Sequence, residues 1–245
     1  LKKLSVIIPA RNEAVNLEEC ISEICKELTH HSIDFEILVI DDGSTDNTAV
    51  VTKLINESIS SVKCIRNEGE NGFGRAVRLG LDNFTGDAVA IMMADHSDSP
   101  KDLVSYWRSI QKGNHCVFGS RFIRGGRVYN YPLIKLFANR VVNTMIRFAF
   151  NIQCNDITNA FKMYRREVIE GCKPLISPHF NLTVEIPLKA VIRGYSWKVV
   201  PISWKNRDKG VAKLKLREMG SRYFFIVAYL WLEKYFSRGD YKRKS

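Results

Sequence analysis

The sequence has 245 residues, of which 45% are hydrophobic, so it can fold into one large domain or two small ones and is not a disordered tail. Its 37 lysine and arginine residues outnumber its 26 aspartate and glutamate residues, giving a formal charge of +11. This charge favours an anionic partner such as a nucleotide phosphate, a nucleic acid or an acidic membrane surface, and by itself does not choose among them.

The six cysteines are scattered without a C-x-x-C pair, and several lie in apolar periodic segments. Free thiols in such segments pack as small hydrophobic groups, so we expect reduced cysteines and a cytosolic location. The chain opens on a strand-like segment, LKKLSVIIPA, and we expect no signal peptide.

Strand-like and helix-like segments alternate along the first 120 residues. The apolar runs that predict strands are LSVIIPA (4–10), FEILVI (35–40), VKCIR (62–66), AVAIMM (88–93) and HCVFGS (115–120). Apolar residues recur at helical spacing over 13–28, and further helices are predicted to begin near Asp46, Gly72 and Lys101. Runs that are apolar on both faces, separated by amphipathic helices, predict an α/β fold with a mostly parallel sheet covered by helices on both sides.

Carboxylates follow three of the predicted strands at the point where each strand ends. Asn12 and Glu13 follow the first strand, Asp41 and Asp42 follow the second, and ADHSDSP at 94–100 follows the fourth. Ligands bind beyond the carboxyl ends of the strands in parallel sheets. We therefore expect these side chains to line one polar pocket.

A helix start is the competing interpretation of the segment after the second strand, and also of the glycine-rich segment NGFG at 71–74. In EILVIDDGSTDNT at 36–48, Ser44 or Asp46 could cap the next helix, although a cap does not explain two adjacent aspartates. In NGFG, the free N–H groups of Gly72 and Gly74 and the side chain of Arg75 favour a phosphate-binding site. The same sequence is equally typical of a turn before a helix.

Seven segments carry a resemblance that spans nearly the whole chain: SVIIPARNEAVNL, EILVIDDGSTDNT, NEGENGFGRAVRLGL, GDAVAIMMADHSDSP, FGSRF, DITNAFKMYRREV and RDKGVAKLKLREM. In this order they resemble the motifs of family-two inverting glycosyltransferases of the dolichol-phosphate mannose synthase and polyprenyl-phosphate glycosyltransferase type. The resemblance implies a Rossmann-like GT-A fold and a GDP- or UDP-linked nucleotide sugar as donor. It also implies a polyprenyl phosphate, dolichyl or undecaprenyl, as acceptor.

The resemblance distributes donor-binding residues over both halves of the chain. They are Pro9, Ala10, Arg11, Glu13, Asp41, Asp42, Ser44, Gly74, Arg75, Asp95, His96, Glu185, Arg207 and Lys213. Glu13, Asp41 and Asp42 offer the acceptor atoms that base and ribose edges need. His96 is expected beside the sugar or the diphosphate. Glu185 is expected to bind sugar hydroxyls, with an exposed helix carboxylate as the equal alternative.

The segment MMADHSDSP departs from the family pattern, in which Asp-x-Asp lies near a Mg²⁺ or Mn²⁺ ion. Met93 stands in place of the first aspartate, and Asp95 matches the second. Because diphosphate oxygens and waters complete the octahedron of such a cation, Asp95 could suffice with help from Ser97 or Asp98. For Asp98 we favour a different role, the cap of a helix that starts near Pro100.

Basic residues of the second half match positions that surround the two phosphate groups in related enzymes. Arg121, Arg140 and Lys162 are predicted to face the acceptor phosphate, with a solvated surface charge as the alternative for each one. Lys162 replaces the arginine usual in the family and lacks its fork geometry. Asp156 matches the aspartate proposed as catalytic base and, with Asp95, completes the predicted catalytic pair.

The segment YFFIVAYLWLEKYF at 223–236 is almost continuously apolar and aromatic. It is shorter than the ~20 residues that span a bilayer, and its flanks are basic. We therefore predict a GT-A domain at 1–212 and a membrane-interface extension at 213–245, on the cytoplasmic face of a membrane. The protein would be peripheral, or integral if helices follow Ser245. A buried core or dimerisation helix is the alternative for 223–236, and oligomerisation is left open.

Three other functions compete with transfer to a polyprenyl phosphate. A family-two transferase acting on a saccharide hydroxyl would need Asp156 or another carboxylate as a true base. A non-catalytic sugar-nucleotide binder would explain Met93. A nucleic-acid-binding module fits the charge, but no basic helix interleaved with stacking aromatics is present, and we expect no specific nucleic acid partner.

Overall fold

The computed structural model describes residues 1–206 and 216–243. The first half consists of β1 (Lys3–Ala10), α1 (Ala14–His30), β2 (Asp34–Asp41), α2 (Thr48–Ser58), β3 (Val62–Arg66), α3 (Phe73–Asn83), β4 (Ala88–Ile91), α4 (Pro100–Gln111) and β5 (Cys116–Ser120). The second half consists of β6 (Arg127–Tyr129), α5 (Leu133–Phe150), β7 (Lys162–Arg165), α6 (Arg166–Cys172), α7 (Leu182–Ile192), β8 (Trp197–Pro201), β9 (Ser203–Lys205) and α8 (Leu216–Phe236). The five strands predicted from apolar runs are confirmed.

Seven strands form one sheet in the order β3-β2-β1-β4-β7-β5-β8. Among the described strands of this sheet, β7 alone is antiparallel to its neighbours, so the prediction of a mostly parallel α/β fold is confirmed. The strands β6 and β9 form a separate parallel pair. Because β2, β1 and β4 are adjacent and parallel, their carboxyl ends meet at one edge.

Both faces of the sheet are buried, which explains why its strands read as continuous apolar runs. Along β1, Ile7 packs with Val77 of α3, and Val184 of α7 lies in the same layer. Val6, in contrast, packs in the opposite layer with Leu17 of α1. Helices therefore cover the sheet on both sides, as predicted.

The helix α8 contributes to the core and exposes aromatic side chains as well. Its Ile226 and Leu230 are buried in the layer that contains α7, and Arg193 donates to Glu233 (Nε to Oε1, 2.9 Å). Phe224 and Phe236 of the same helix are exposed. The core-helix interpretation of 223–236 is therefore correct for the buried side, and the membrane-interface interpretation stays a prediction for the exposed side. Within 1–206 and 216–243, no helix combines the length and apolarity of a membrane span.

Glu36 connects the start of β2 to β1 and to the turn before β4. Its carboxylate accepts hydrogen bonds from Ser5 Oγ (2.7 Å), Thr85 N (2.5 Å) and Lys3 Nζ (3.2 Å). Burial alone would raise the pKa of Glu36, but these hydrogen bonds outweigh it and lower the pKa to about 2. The folded-state pKa thus lies below the unfolded value, so the stabilisation is complete above pH ~4.5 and is lost as the pH falls towards 2.

We expect Glu36→Gln to remove most of this acid sensitivity. In urea unfolding, the wild-type group should contribute up to about 3 kcal/mol at pH 5 that disappears by pH 2, and the variant should show a flatter profile there. Glu57→Gln, at an exposed position of α2, is the control and should keep the wild-type profile. Equal slopes in the wild type and in Glu36→Gln would contradict the assignment.

Candidate functional site

The loops after β1 and β2 form one side of the crevice at the carboxyl edge of the sheet. Asp42 accepts hydrogen bonds from Gly72 N and Asn67 Nδ2, each at 2.8 Å, and Asp41 Oδ1 accepts one from Ser44 N at 2.9 Å. Both aspartates are buried. They lie where the sequence predicts, and in this structure they hold the loops that follow β2 and β3. Glu13, which is buried in the loop after β1, accepts a hydrogen bond from Asn16 Nδ2 (2.9 Å).

The predicted cap of α2 needs correction, because Asn47 occupies the N-cap position. Ser44 Oγ accepts a hydrogen bond from Asn12 N (3.0 Å) and so ties the β2 loop to the β1 loop. Asp46 Oδ1 accepts from Thr48 N (2.9 Å), which satisfies one amide of the first helical turn from just outside the helix.

The glycines at the start of α3 serve the contact with the loop before α7. A Cβ atom on Gly72 would lie 2.5 Å from Pro178 O, and one on Gly74 would lie 2.3 Å from Ser177 O. Arg75 pairs with the carboxylate of Glu70. The phosphate prediction for this helix start is weakened, because Gly72 N already binds Asp42. Of the remaining predicted donor residues, Pro9 and Ala10 are buried at the end of β1 and Arg11 is exposed.

Two carboxylates meet after β4. Asp95 Oδ1 accepts a hydrogen bond from Ser97 N (3.1 Å), and Asp98 Oδ2 accepts one from Met93 N (3.4 Å). Burial and the charge of Asp95 raise the pKa of Asp98 to about 7. The cap prediction for Asp98 is wrong: Ser99 is the N-cap of α4, because the Asp98 carboxylate turns back towards β4.

A divalent cation fits this carboxylate pair, because it would neutralise two negative charges that lie close together with little solvent around them. Asp95 and Asp98 are 8% and 4% exposed, and Ser97 between them is also buried. No group of three or more His, Cys, Asp or Glu side chains is arranged to hold a metal in 1–206 and 216–243. The protein would therefore contribute few ligands, and diphosphate oxygens and waters would supply the others.

His96 faces α1 instead of the predicted sugar or diphosphate position. Its Nε2 lies 3.0 Å from Asn16 O, and its ring is within 3.8 Å of the carboxylates of Glu19 and Glu23. The backbone of His96 is in the left-handed region, with a φ of 56°. The donor-binding prediction for His96 is therefore not supported by the geometry.

Asp156 and Arg121 are paired with each other. Asp156 is fully buried and accepts hydrogen bonds from Arg121 Nε (2.7 Å), Nη2 (2.7 Å) and N (3.1 Å). The rings of Phe122, Tyr131 and Trp204 lie 5.3 to 5.5 Å from the guanidinium carbon. The candidate base and one candidate phosphate ligand thus neutralise each other in this structure. The alternative of a solvated surface charge is wrong for Arg121, which is 7% exposed.

The other two candidate phosphate ligands differ in exposure. Lys162 is 1% exposed, and its Nζ donates to Thr183 O (3.3 Å) and to Asn159 O. Burial lowers the pKa of Lys162 to about 8. Arg140 is half-buried, donates to Asn155 O (2.9 Å) and places its guanidinium carbon 4.4 Å from the centre of the Phe122 ring. Arg140 is therefore the more accessible of the two cations.

Glu185 holds the loop before α7. It is fully buried, and its two oxygens accept hydrogen bonds from Ile176 N (2.8 Å), Ser177 N (2.7 Å) and Lys189 Nζ (2.7 Å). The alternative of an exposed helix carboxylate is wrong. The sugar-binding prediction is not supported, because the carboxylate is fully buried and binds the loop and Lys189. The remaining predicted donor residues, Arg207 and Lys213, lie outside the described residues.

Sequence reasoning missed the part of the site that β9 contributes. Trp204 forms an isolated bridge with Asp98, and Lys205 N donates to Ser97 O (3.0 Å), so β9 lies against the carboxylate loop. Trp204 also packs against Tyr131 at a ring distance of 4.8 Å. The apolar residues before RDKG could have predicted the strand β9. A local pattern does not show, however, which loop that strand contacts.

Comparison with known proteins identifies the family. Residues 5–172 match Glycosyl transferase family 2. The chain belongs to this family. It is 32% identical over 216 residues to the polyprenol monophosphomannose synthase of Mycolicibacterium smegmatis, which covers 85% of this chain and 80% of that protein. It is 33% identical over 218 residues to the dolichol-phosphate mannosyltransferase of Pyrococcus furiosus, covering 87% of this chain but only 59% of that protein.

Solved structures of low sequence identity share the fold. The glucosyl-3-phosphoglycerate synthase of Mycobacterium tuberculosis, in complex with Mn²⁺, UDP and glucosyl-3-phosphoglycerate, matches with a TM-score of 0.69 at 19% identity, covering 95% of this chain and 80% of that one. A complex of the same synthase with Mg²⁺ and UDP gives 0.69 at 18% identity, covering 95% and 79%. The predicted GT-A fold is confirmed, and with its family membership the chain is a glycosyltransferase.

Proposed function

We propose that this enzyme transfers a sugar from a nucleotide diphosphate sugar, GDP- or UDP-linked, to a polyprenyl phosphate at a membrane surface, with inversion at the anomeric carbon. The observation that carries the proposal is the similarity to relatives named polyprenol monophosphomannose synthase and dolichol-phosphate mannosyltransferase over 85% and 87% of the chain. The proposal places the enzyme on the cytoplasmic face of the membrane, where its formal charge of +11 suits an anionic leaflet.

Asp95 and Asp98 would hold Mg²⁺ or Mn²⁺, which when bound would neutralise the diphosphate leaving group. The acceptor phosphate is already ionised at neutral pH, so positioning matters more than proton removal. Arg140 and Lys162 would supply positive charge for that positioning. The pairing of Asp156 with Arg121 supports this reading, because transfer to a phosphate needs no free carboxylate base.

An exposed apolar stripe on α5 supports a lipid acceptor. Its members recur three or four residues apart, lie on one face and are 42% to 79% exposed: Ile134, Phe137, Val141, Met145 and Phe148. The sequence analysis did not single out this helix. Contiguous exposed apolar surface of this kind marks an interaction site.

The helices α5 and α8 meet near their carboxyl-terminal ends, and exposed aromatic residues of α8 add to this surface. Tyr235 OH donates to Ala149 O (3.2 Å), and Lys234 Nζ donates to Phe150 O (2.5 Å). On α8, Phe224 and Phe236 are 76% and 69% exposed. Arg140 lies on α5 itself, so a lipid chain at the apolar stripe and a phosphate at this cation would be neighbours. This arrangement matches a lipid whose head group alone leaves the bilayer.

We expect Phe137→Ser combined with Phe148→Ser to reduce transfer to polyprenyl phosphate in anionic vesicles at least about tenfold, since each of these exposed phenylalanines would contribute ~1.5–3 kcal/mol to association once the membrane covers it. Vesicle co-sedimentation should fall in parallel. Donor binding, measured as a thermal shift with GDP- and UDP-sugars in the presence of Mg²⁺ or Mn²⁺, should be unchanged. Truncation after Arg222 would be a poorer test, because it removes Ile226 and Leu230 from the core.

Val50→Ser combined with Leu54→Ser is the matched control, because these residues are 59% and 60% exposed on α2 and lie four positions apart. This control should sediment with vesicles and turn over like the wild type. Equal transfer to membrane lipid by the α5 variant, or faster use of a water-soluble sugar acceptor by the wild type, would overturn the proposal in favour of a saccharide hydroxyl acceptor.

A further inference from the structure

The turn at 93–98 carries both carboxylates that would hold the divalent cation, Asp95 and Asp98. The hydrogen bonds described above reach them from Ser97 N and Met93 N, which belong to the same turn. Such bonds fix the local shape of the turn, whereas its place relative to the sheet depends on contacts with other elements. Because Met93 offers no carboxylate, cation binding depends strongly on where the other two carboxylates lie.

His96, directly after Asp95, has a backbone conformation that its surroundings must hold. Its φ of 56° lies in the left-handed region, which is unfavourable for a residue with a Cβ atom and persists only where neighbouring contacts enforce it. The ring supplies contacts of this kind. Its Nε2 donates to Asn16 O (3.0 Å), and the carboxylates of Glu23 and Glu19 lie 3.5 and 3.8 Å from the ring nitrogens.

The first two turns of α1 connect this turn with the loop after β1. Cys20 Sγ donates to Met93 O (3.7 Å), which adds a second contact between α1 and the turn. Asn16, whose carbonyl accepts from the His96 ring, donates through its side chain to Glu13 Oε2 (2.9 Å). Asn16 and Cys20 are buried and lie one helical turn apart, so they offer the turn a rigid support.

We propose that His96 is a positioning residue for the cation site. The bond from its ring to Asn16 O fixes the turn at 93–98 against α1, and this keeps Asp95 where a cation on the donor diphosphate would lie. His96 acts through Asp95 and does not itself bind the cation or the nucleotide. This role rests on the proposed function, because it requires a divalent cation, and it adds a residue that the motif resemblance had assigned to the donor.

Isothermal titration calorimetry of GDP and of UDP on the full chain, in Mn²⁺ and in EDTA, tests this role. The readout is the gain in nucleotide affinity that Mn²⁺ provides. In His96→Ala this gain should fall about tenfold, the order of loss seen when a group that orients a metal ligand is removed. Affinity in EDTA should stay at the wild-type value, since the predicted base and ribose contacts lie in the loops after β1 and β2.

The rate of transfer in the vesicle assay gives a second readout. For His96→Ala, the Mn²⁺ concentration at half-maximal rate should rise by a similar factor, while kcat at saturating Mn²⁺ stays near the wild-type value. General damage to the fold would instead lower kcat and the free energy of unfolding together. Urea unfolding of the same variants measures the latter and should show little change, because the His96 side chain is 26% exposed.

Two further variants separate the ring contact from other effects. His96→Gln keeps an amide N–H close to the position of Nε2 and should retain most of the Mn²⁺ gain. His96→Gly adopts the φ of 56° without strain but lacks the ring, so it should lose the gain as His96→Ala does. His31→Ala is the matched control, because its ring is 29% exposed, contacts Glu27 (3.3 Å) and lies at the other end of α1. This control should behave like the wild type.

The proposal is overturned if His96→Ala keeps the full Mn²⁺ gain, or if its affinity in EDTA falls as far as its affinity in Mn²⁺. It is also overturned if His96→Gln fails like His96→Ala, which would indicate that His96 is itself a cation ligand. A wild type whose affinity for both nucleotides is the same in Mn²⁺ and in EDTA would overturn it together with the cation assignment of Asp95. Transfer of a sugar to polyprenyl phosphate by the wild type is measured separately, so failure of this role is distinguishable from failure of the proposed function.

Discussion

Asp95→Asn should lower metal-dependent turnover at least about 100-fold while leaving the fold intact. Asparagine keeps the oxygen that accepts the hydrogen bond from Ser97 N, so the loop after β4 retains its shape. The negative charge that attracts Mg²⁺ or Mn²⁺ next to Asp98 is lost, and hard divalent cations bind carboxylates far better than amides. Initial rates over a metal titration, together with urea unfolding, measure both effects.

Asp82→Asn is the control, because Asp82 is an exposed carboxylate on α3 that pairs with Lys173 away from the crevice. This variant should retain wild-type rates. Met93→Asp restores the usual carboxylate pair at a half-buried position and should lower the metal concentration that gives half-maximal rate. Full metal-dependent activity in Asp95→Asn would refute the assignment of Asp95.

Removing one partner of the pair formed by Arg121 and Asp156 should destabilise the fold by about 3–5 kcal/mol, because it leaves an uncompensated buried charge. In Asp156→Ala, the guanidinium of Arg121 would remain 7% exposed without its anion. Urea unfolding measures the loss. The double variant Asp156→Ala with Arg121→Met should recover much of it, since no charge then remains to be buried.

Lys173→Ala, which breaks the exposed pair with Asp82, is the matched control and should cost less than about 1 kcal/mol. Turnover separates the two roles of Asp156. If Asp156→Ala keeps wild-type stability and loses turnover only, the pair is not structural and the predicted catalytic base stands. If stability and turnover fall together and the double variant restores stability alone, positioning by the pair explains the rate.

The sequence was sufficient to predict the alternation of strands and helices and the edge at which the site lies. Segments such as 35–40 are apolar on both faces, a pattern typical of parallel strands between helices. The carboxyl ends of neighbouring parallel strands meet at one edge, which places Asp41, Asp42 and Asp95 there without knowledge of any contact. These predictions depend only on local periodicity and on the geometry of parallel sheets.

The tertiary structure decided which charged side chains are already paired. Arg121 and Asp156 are 35 residues apart in the chain, and no local pattern shows that they form a buried pair. Glu185 and Lys189 are one helical turn apart, yet only packing shows that both are buried and that Glu185 binds the loop at 176–177. The sequence of a motif is the same whether the oxygens of its carboxylate bind a ligand or a backbone amide.

The sequence by itself also determined that 223–236 is apolar. It did not determine what covers this segment, and the stripe of α5 was not predicted from it. Burial depends on which helices pack together, and that is a property of the whole fold. Packing against the core splits α8 into an inner side with Ile226 and Leu230 and an outer side with Phe224 and Phe236, while the stripe of α5 stays exposed.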